Sequence, residues 1–312
     1  MKAVVYNKKS KPDKLVYTEV EKPAPGDNEI LIKVVASSVN AADYRSMSLG
    51  IIPKRKIFGA DIAGVVEVVG KNVTQWKPGD EVMGDLADAG FGSFAEYNVS
   101  PENMVVQKPT ELSFENAAAI PLAGITALQA LQNKGNIQKG QKVLIVGSGG
   151  GVGTFAVQLA HYFGAEITAV CSAKNVEMAK QLGAHHLIDY TKDDFTKTNR
   201  RFDLILAING NKGLLAYRRL LAPEGKFVMV GGAMAQIFKS LIFGKLLSPG
   251  KKKMMTLSAK ANQTDIEFLA KLAVEGHIKP VIERSYTLDK AAEAFQYLSK
   301  GHSRGKVIIQ VS

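Results

Sequence analysis

The sequence predicts an α/β protein in which a doubly wound parallel sheet is joined to a β domain. Three observations lead there. Beyond about residue 140, short apolar runs alternate with segments of helical spacing, as in strand–helix–strand units. A glycine run, Gly147-Ser148-Gly149-Gly150-Gly151-Val152-Gly153, lies between one such strand and the helix after it. Up to about residue 110 the chain is instead a series of strand-like runs cut by Pro and Gly.

In the first part, Glu29-Ile-Leu-Ile-Lys-Val-Val-Ala36 and Ala63-Gly-Val-Val-Glu-Val-Val-Gly70 read as strands. Pro23, Pro25, Gly26, Pro78, Gly79 and Asp80 punctuate turns. Glu115 to Asn133 has a helical pattern, with Pro121 and Gly124 marking a bend or a helix start. Lys142-Val-Leu-Ile-Val146 is a buried-strand run, and Thr154 to Phe163 is helical until Gly164. Ile167-Thr-Ala-Val170, His186-Leu-Ile-Asp189, Phe202-Asp-Leu-Ile-Leu206 and Lys226-Phe-Val-Met-Val230 are the following strands. Asn175 to Leu182 and Leu214 to Leu221 are helical between them. Two more helices, Asp265 to Glu275 and Asp289 to Ser299, precede a closing strand from Lys306 to Val311, which is expected to return to the first domain.

Composition narrows the class. The 312 residues, 46% hydrophobic and 22% charged, suffice for two ordinary domains with real cores. A single cysteine, Cys171, excludes an intramolecular disulfide framework and any multi-cysteine metal site, and a strand position makes it a buried residue rather than a nucleophile. Lys+Arg 40 against Asp+Glu 29 gives a formal charge of +11. The charge clusters only at Lys251-Lys252-Lys253, without interleaved aromatics, so no nucleic-acid partner is expected. The basic start, MKAVVYNKKSKPDK, lacks a signal peptide's apolar core, and no run approaches the ~18 apolar residues of a membrane span. A cytoplasmic location is expected.

The glycine run carries the first functional signal. Glycines let backbone N–H groups approach a pyrophosphate, and the helix N-terminus behind them adds partial positive charge. The best register is Ser148-x-Gly150-x-x-Gly153, which puts Ser148 in the place of the first glycine. Ser148, Gly149, Gly150, Gly151, Val152 and Gly153 are therefore cofactor candidates. An NAD site usually has a carboxylate about 20 residues on, to hold the ribose 2′-hydroxyl. Here the matching tip, Val170-Cys-Ser-Ala-Lys-Asn-Val176, contains no acid. Ser172, Lys174 and Asn175 instead offer donors to a 2′-phosphate, so NADPH is the expected cofactor; a solvated turn with a helix cap is the plainer alternative.

These residues complete a wider pattern. The chain resembles the medium-chain dehydrogenase/reductase superfamily, and within it the zinc-free quinone oxidoreductase-like branch, over nearly its full length. The resemblance rests on Ser38-Val-Asn-Ala-Ala-Asp43, Gly59-Ala-Asp-Ile-Ala-Gly-Val-Val-Glu-Val-Val-Gly70, Lys77-Pro-Gly-Asp-Glu-Val82, Pro121-Leu-Ala-Gly-Ile-Thr-Ala127, the glycine run and Gly301-His-Ser-Arg-Gly-Lys306. It implies a GroES-like β domain built from both chain ends, residues 1–122 completed by 263–312. A Rossmann NADPH-binding domain, residues 123–262, is inserted between them. In zinc members a Cys, a His and a second Cys or Asp hold the catalytic metal. The matching positions here are Asn40, Ala60 and Leu122, none a credible zinc ligand. His185 and His186 are adjacent, so in a strand they point opposite ways.

By resemblance, Asn40 faces the nicotinamide carboxamide or the substrate, and Thr126 packs on the nicotinamide ring. Asp43, Tyr44 and Arg45 shape the rim, with Arg45 able to steady a developing oxyanion. Asn40, Asp43 and Arg45 are thus the catalytic candidates. Tyr190 at a strand end, Arg304 in the closing segment, Asn209, and Val230-Gly231-Gly232 after a nucleotide-domain strand complete the cofactor set. Each has a plainer reading, as a turn, strand-end or surface residue.

The function these features imply is zinc-independent hydride transfer from NADPH to a small apolar quinone or α,β-unsaturated carbonyl, by a homodimer. Without a Lewis acid, alkoxide stabilisation is lost, whereas a conjugated acceptor needs only hydrogen-bond donors for the anion that develops. Enoyl-thioester reduction and a non-catalytic NADPH-binding sensor or structural protein are the alternatives. Ile237-Phe-Lys-Ser-Leu-Ile-Phe-Gly-Lys-Leu-Leu247 places apolar residues at helical spacing beside lysines, and is expected to be a substrate lid, a dimer contact or a membrane contact, with Gly244 and Pro249 limiting its length.

Overall fold

A computed structural model describes residues 1–6, 15–248, 250–301 and 303–312. Most of the basic stretch near the start (7–14), Pro249 and His302 lie outside the described residues. The chain divides into two compact units, one of Met1–Ile125, Lys260–Gly276 and Pro280–Ser312, the other of Thr126–Ala259 and His277–Lys279.

The first unit is built on β1 (Lys2–Val5), β2 (Val16–Glu19), β3 (Glu29–Val39), β4 (Asp61–Val69), β5 (Glu81–Asp85), β6 (Tyr97–Pro101) and β7 (Val105–Gln107), completed by β14 (Ile282–Thr287) and β15 (Lys306–Gln310). The last two join a seven-stranded sheet in the order β14-β15-β3-β4-β5-β7, with β6 also on β3. β15 runs antiparallel to β3, pairing Val307 with Val39, so the closing strand returns to the first domain as expected. Ile30, Ile32, Val34, Ile62, Val66 and Val82 from β3, β4 and β5, with Leu86 just past β5, belong to one apolar cluster. Phe58, Phe94 and Phe295 anchor a second, the latter from α9 (Ala291–Ser299). β4 lies so close to β3 that a Cβ on Gly64 would come within 2.2 Å of the Lys33 carbonyl oxygen. Gly64 therefore permits the pairing.

The second unit is a six-stranded parallel sheet. Its strands are β8 (Lys142–Val146), β9 (Glu166–Cys171), β10 (His186–Asp189), β11 (Phe202–Ala207), β12 (Leu221–Met229) and β13 (Lys253–Thr256), in the order β10-β9-β8-β11-β12-β13. That order reverses direction beside β8, the arrangement of a doubly wound sheet. Helices α4 (Gly151–Tyr162), α5 (Val176–Gln181) and α6 (Leu214–Leu220) connect strands along the way. β8 is buried through Val143–Val146, which explains its continuous apolar run.

Several boundaries differ from the sequence reading. The helical stretch from Glu115 divides into α2 (Phe114–Ala119) and α3 (Pro121–Gln129), followed by a π turn over Ala130–Lys134. Pro121 opens α3 because a proline tolerates the first helical turn. β12 begins at Leu221, where the sequence suggested continued helix. α8 (Gln263–Val274) and α9 follow their predicted segments within a few residues. β13, which includes Lys253, was not anticipated. Helix α7 (Met234–Phe243) occupies the unusual apolar segment, and Phe238, Leu241, Ile242, Phe243 and Leu246 are exposed along it.

Candidate active site

In the second unit the glycine run leaves β8 and enters α4. Gly147 takes a positive φ of 91°, and its N–H and that of Ser148 both donate to the Val170 carbonyl. Ser148 is fully buried, and its Oγ donates to the same carbonyl at 3.1 Å, so the side chain ties the loop to β9 and faces inward. Gly153 sits against the loop itself: a Cβ there would lie 2.2 Å from the Gly147 carbonyl oxygen. A Cβ on Gly150 would meet nothing nearer than 4.0 Å. Tight turn, open approach and close packing are thus separate duties of neighbouring residues. Gly150 caps α4 with no side-chain hydrogen bond and no acid in the first turn, which leaves amide donors and the helix dipole for an anion.

The other cofactor candidates of this unit lie at the ends of the same strands. Asn209 follows β11, and its N–H donates to the Val146 carbonyl. Val230 and Gly231 donate to the Ala207 carbonyl, and Gly232 (φ 125°) bridges to Gly210. Ser172, Lys174 and Asn175 follow β9, and Asn175 Nδ2 reaches Ser172 Oγ at 3.4 Å. The Asn175 side chain is buried with Oδ1 accepting no hydrogen bond, a polar atom left over at the tip. Tyr190 is 50% exposed just past β10, with its N–H on the Cys171 carbonyl. These features fit a bound dinucleotide. Asp189 was not singled out from the sequence, yet strand register puts it beside Cys171 at the same sheet end. Its carboxylate accepts from the Thr191 N–H and Oγ1 and is held below the usual range by those bonds. Thr126 is half-buried on α3. Cys171 is buried, which pushes its thiol pKa up, and so lacks the character of a nucleophile. His185 accepts from the Ile167 N–H while His186 pairs with Glu166, so the two do not share a ligand.

In the first unit, one catalytic candidate, Asn40, is bonded to a buried carboxylate that the motif alone does not mark as central. Asp61, at the start of β4, is fully buried. Its Oδ2 accepts from Ser38 Oγ, from Asn40 Nδ2 at 2.8 Å and from Lys306 Nζ at 3.0 Å. Its Oδ1 accepts from the Leu122 N–H at 2.8 Å, at the start of α3. Lys306 Nζ also donates to Asn40 Oδ1 at 2.7 Å, and Lys306 is only 2% exposed.

Asp43 is fully buried and does not form a rim. As the third residue of α1 (Ala41–Ser48) it accepts from the Asn40 N–H at 2.7 Å and from the Gly59 N–H. That is a helix-capping duty. Arg45 is half-buried near the Tyr44 ring, 5.9 Å from its centroid. Arg304 is exposed, and its N–H donates to Glu283 Oε2. Asp85 ends β5 directly opposite Asp61 and accepts from the Ala87 N–H.

Three buried carboxylates with one buried ammonium would carry excess negative charge if all were ionised. Burial, reinforced by the Asp61 charge, raises Asp43 and Asp85 each to about 7. Among the described residues, no group of three or more His, Cys, Asp or Glu is placed to hold a metal ion. No helix among them is long and apolar enough to cross a membrane.

Comparison with known proteins agrees with this architecture. A family profile described as the alcohol dehydrogenase GroES-like domain matches residues 26–110, and one described as zinc-binding dehydrogenase matches 182–309. A 2-methylene-furan-3-one reductase of Solanum lycopersicum is 35% identical, across 99% of this chain and 79% of its own. A chloroplast envelope quinone oxidoreductase homolog of Arabidopsis thaliana is 31% identical, across 95% of this chain and 94% of its own. Among solved structures, the quinone oxidoreductase from Coxiella burnetii superposes with a TM-score of 0.90 at 29% identity, covering 100% of this chain and 99% of that one. The chain belongs to the medium-chain dehydrogenase/reductase superfamily, in its quinone oxidoreductase-like branch. It is an oxidoreductase of that type, for which the family and fold imply a nicotinamide cofactor and a small substrate.

The raised Asp85 has a measurable consequence. A carboxyl whose folded pKa lies above its unfolded value (~4) favours folding most at low pH. That contribution declines as pH rises toward and through about 7. Asp85→Asn keeps an acceptor for the Ala87 N–H and removes the charge. Its melting temperature, relative to wild type, should therefore rise from about pH 4 to about pH 7 and level off above that. A difference that stays flat across that range would show that Asp85 is ionised throughout.

Proposed function

We propose that this protein reduces a small apolar quinone or α,β-unsaturated carbonyl compound by hydride transfer from NADPH, without zinc, as a cytoplasmic homodimer. The observation that carries the reading is the chemistry at the three positions matched to metal ligands. Asn40 is bonded to Lys306 and Asp61, Ala60 has no donor atom, and Leu122 contributes only its backbone N–H. With no Lewis acid to hold an alkoxide, a conjugated acceptor is the substrate class that these residues suit. Relatives named quinone oxidoreductase and 2-methylene-furan-3-one reductase support the two acceptor types.

The bound reduced nicotinamide supplies the hydride. The protein's own part is to bind and orient. The glycine loop and the α4 N-terminus hold the pyrophosphate, Thr126 packs on the nicotinamide ring, and Asn40 takes the carboxamide. Arg45 steadies negative charge on the acceptor. In this reading residues 123–262 form the cofactor domain and the rest forms the catalytic domain, with the exposed face of α7 as substrate cover or subunit contact. A second reading, enoyl-thioester reduction, draws support from the likeness to the CurK enoyl reductase structure, at 26% identity and a TM-score of 0.83.

The test is NADPH oxidation by the purified protein against quinones, enones and enoyl-CoAs, before and after exhaustive chelation. Turnover of quinones or enones that survives chelation is the expected result. Turnover confined to enoyl-CoAs supports the second reading. Activity that disappears in step with one zinc per chain refutes metal independence.

Cofactor choice is tested separately. Ser172 and Lys174 at the β9 tip can donate to a 2′-phosphate, Asn175 turns its Nδ2 to Ser172 Oγ and leaves an acceptor unpaired, and Tyr190 and Arg304 are proposed to assist. Asp189, an acid at this sheet end held ionised by Thr191 and by the Ala173 N–H, counts against a 2′-phosphate and favours a ribose hydroxyl. A hydrogen bond with a charged partner contributes about 1.5–3 kcal/mol, so one or two imply a preference for NADPH of about tenfold to a few hundredfold after screening. Ser172→Asp should erase or reverse that preference, mainly through KM, because the contact is remote from the hydride. Equal kcat/KM for NADPH and NADH in the wild type would contradict it.

A further inference from the structure

The buried lysine excludes a metal-ligand role for Asn40 in the reading above, and it also bears on how that amide meets a cofactor. Lys306 Nζ donates to Asn40 Oδ1 at 2.7 Å, and Asn40 Nδ2 donates to Asp61 Oδ2 at 2.8 Å. The remaining direction of Nδ2 is taken by the Ser38 carbonyl at 3.2 Å, with Ser38 Oγ at 3.3 Å. An amide's oxygen and nitrogen are ordinarily assigned from their partners, and here the partners leave one choice. Flipping the amide would set its NH2 against the ammonium and its oxygen against the carboxylate. The ion pair therefore fixes the rotation of Asn40, and Asp61 and the Ser38 carbonyl take its two donor directions. One lone pair on Oδ1 remains.

We propose that Lys306 is a positioning residue: paired with Asp61, it locks Asn40 so that the side chain meets the cofactor only as an acceptor, for an N–H of the nicotinamide carboxamide. This rests on the proposed placement of Asn40 at that carboxamide. The same ammonium is linked, directly or through Asp61, to Asn40 and the Leu122 N–H, and Asp61 is the neighbour of Ala60. A fixed cation from the closing strand thus connects two of the three positions matched to metal ligands, and the third precedes Asp61 in the chain. Lys306 lies on β15 and Asn40 just past β3, 266 positions apart, so β15–β3 pairing brings cation and amide together.

The experiment compares equilibrium binding of NADPH with that of its reduced 3-acetylpyridine analogue, in which a methyl group replaces the amide nitrogen. Wild type should bind NADPH about tenfold more tightly than the analogue, the effect of one hydrogen bond. Asn40→Ala should bring the ratio of Kd values to about one, by the same loss. The charge-balanced pair Lys306→Met with Asp61→Asn leaves no buried charge unpaired, and should lower the ratio toward one by weakening NADPH binding while the analogue's Kd holds. Lys306→Gln, whose amide can donate to the same oxygens, should retain part of the discrimination, and it serves as the probe if the pair does not fold.

Adding the pair to Asn40→Ala should change the ratio no further, since coupled residues are not additive. A pair variant, or Lys306→Gln, that keeps the full wild-type ratio without any loss in the other would overturn the role of Lys306. An Asn40→Ala protein that keeps the ratio would overturn the placement of Asn40, and this proposal with it. A wild type that binds neither nucleotide would instead remove the proposed function itself.

Discussion

A carboxylate with no access to water, Asp61, is the constraint around which the first unit is arranged. A buried charge is tolerated only when it is paired and hydrogen-bonded on every side. Asp61 draws its partners from widely separated parts of the chain: Asn40, 21 positions away, Leu122, 61 away, and Lys306, 245 away. Truncating one member of such a pair costs about 3–5 kcal/mol, because the other charge is left buried alone. Closure of the chain's end onto β3 and orientation of the candidate catalytic amide therefore depend on the same few atoms. Asp43 and Asp85, raised to about 7 first by burial and then by the nearby Asp61 charge, are the complement of this arrangement, since one ammonium cannot balance three carboxylates.

The second unit solves a different problem with different means. Its work is done by backbone rather than by side chains. Gly147 turns the chain, Gly150 leaves the approach open, Gly153 lets α4 lie against the loop, and Ser148 ties the loop to β9. At the glycine loop itself the positive potential comes from the α4 N-terminus. In the proposed reading, phosphate recognition needs amides and space, whereas the carboxamide beside the reacting ring carbon needs one side chain held in one rotation.

Much of this was readable in the sequence because its signals are local. Buried parallel strands such as Lys142–Val146 announce themselves as apolar runs, and the glycine run needs only the strand before it and the helix after it. β13 escaped notice because Lys253 begins it directly after two further lysines, so its apolar residues, Met254 and Met255, look like an interruption of a charged stretch. β14 is polar and half-exposed and carries no alternation strong enough to mark it. The polar nest was the least accessible part. Asp61 and Lys306 both stood inside quoted motifs, but nothing in either motif says that an ammonium 245 positions later neutralises the carboxylate. A buried pair becomes visible only when topology is known. Asp43 was misjudged for a related reason: an acid three residues after Asn40 is also what a capping box requires, and that duty buries it.

Hydride transfer is tested most directly with NADPH carrying deuterium at carbon 4 on one face or the other, given to the purified protein with an enone that it consumes. One deuterium should appear at the β-carbon of the reduced product from one labelled face and none from the opposite face, because an enzyme that binds its cofactor in one orientation presents a single side of the nicotinamide ring. NADPH consumption that yields unlabelled product from both isotopomers, or no consumption with any quinone or enone, would contradict it.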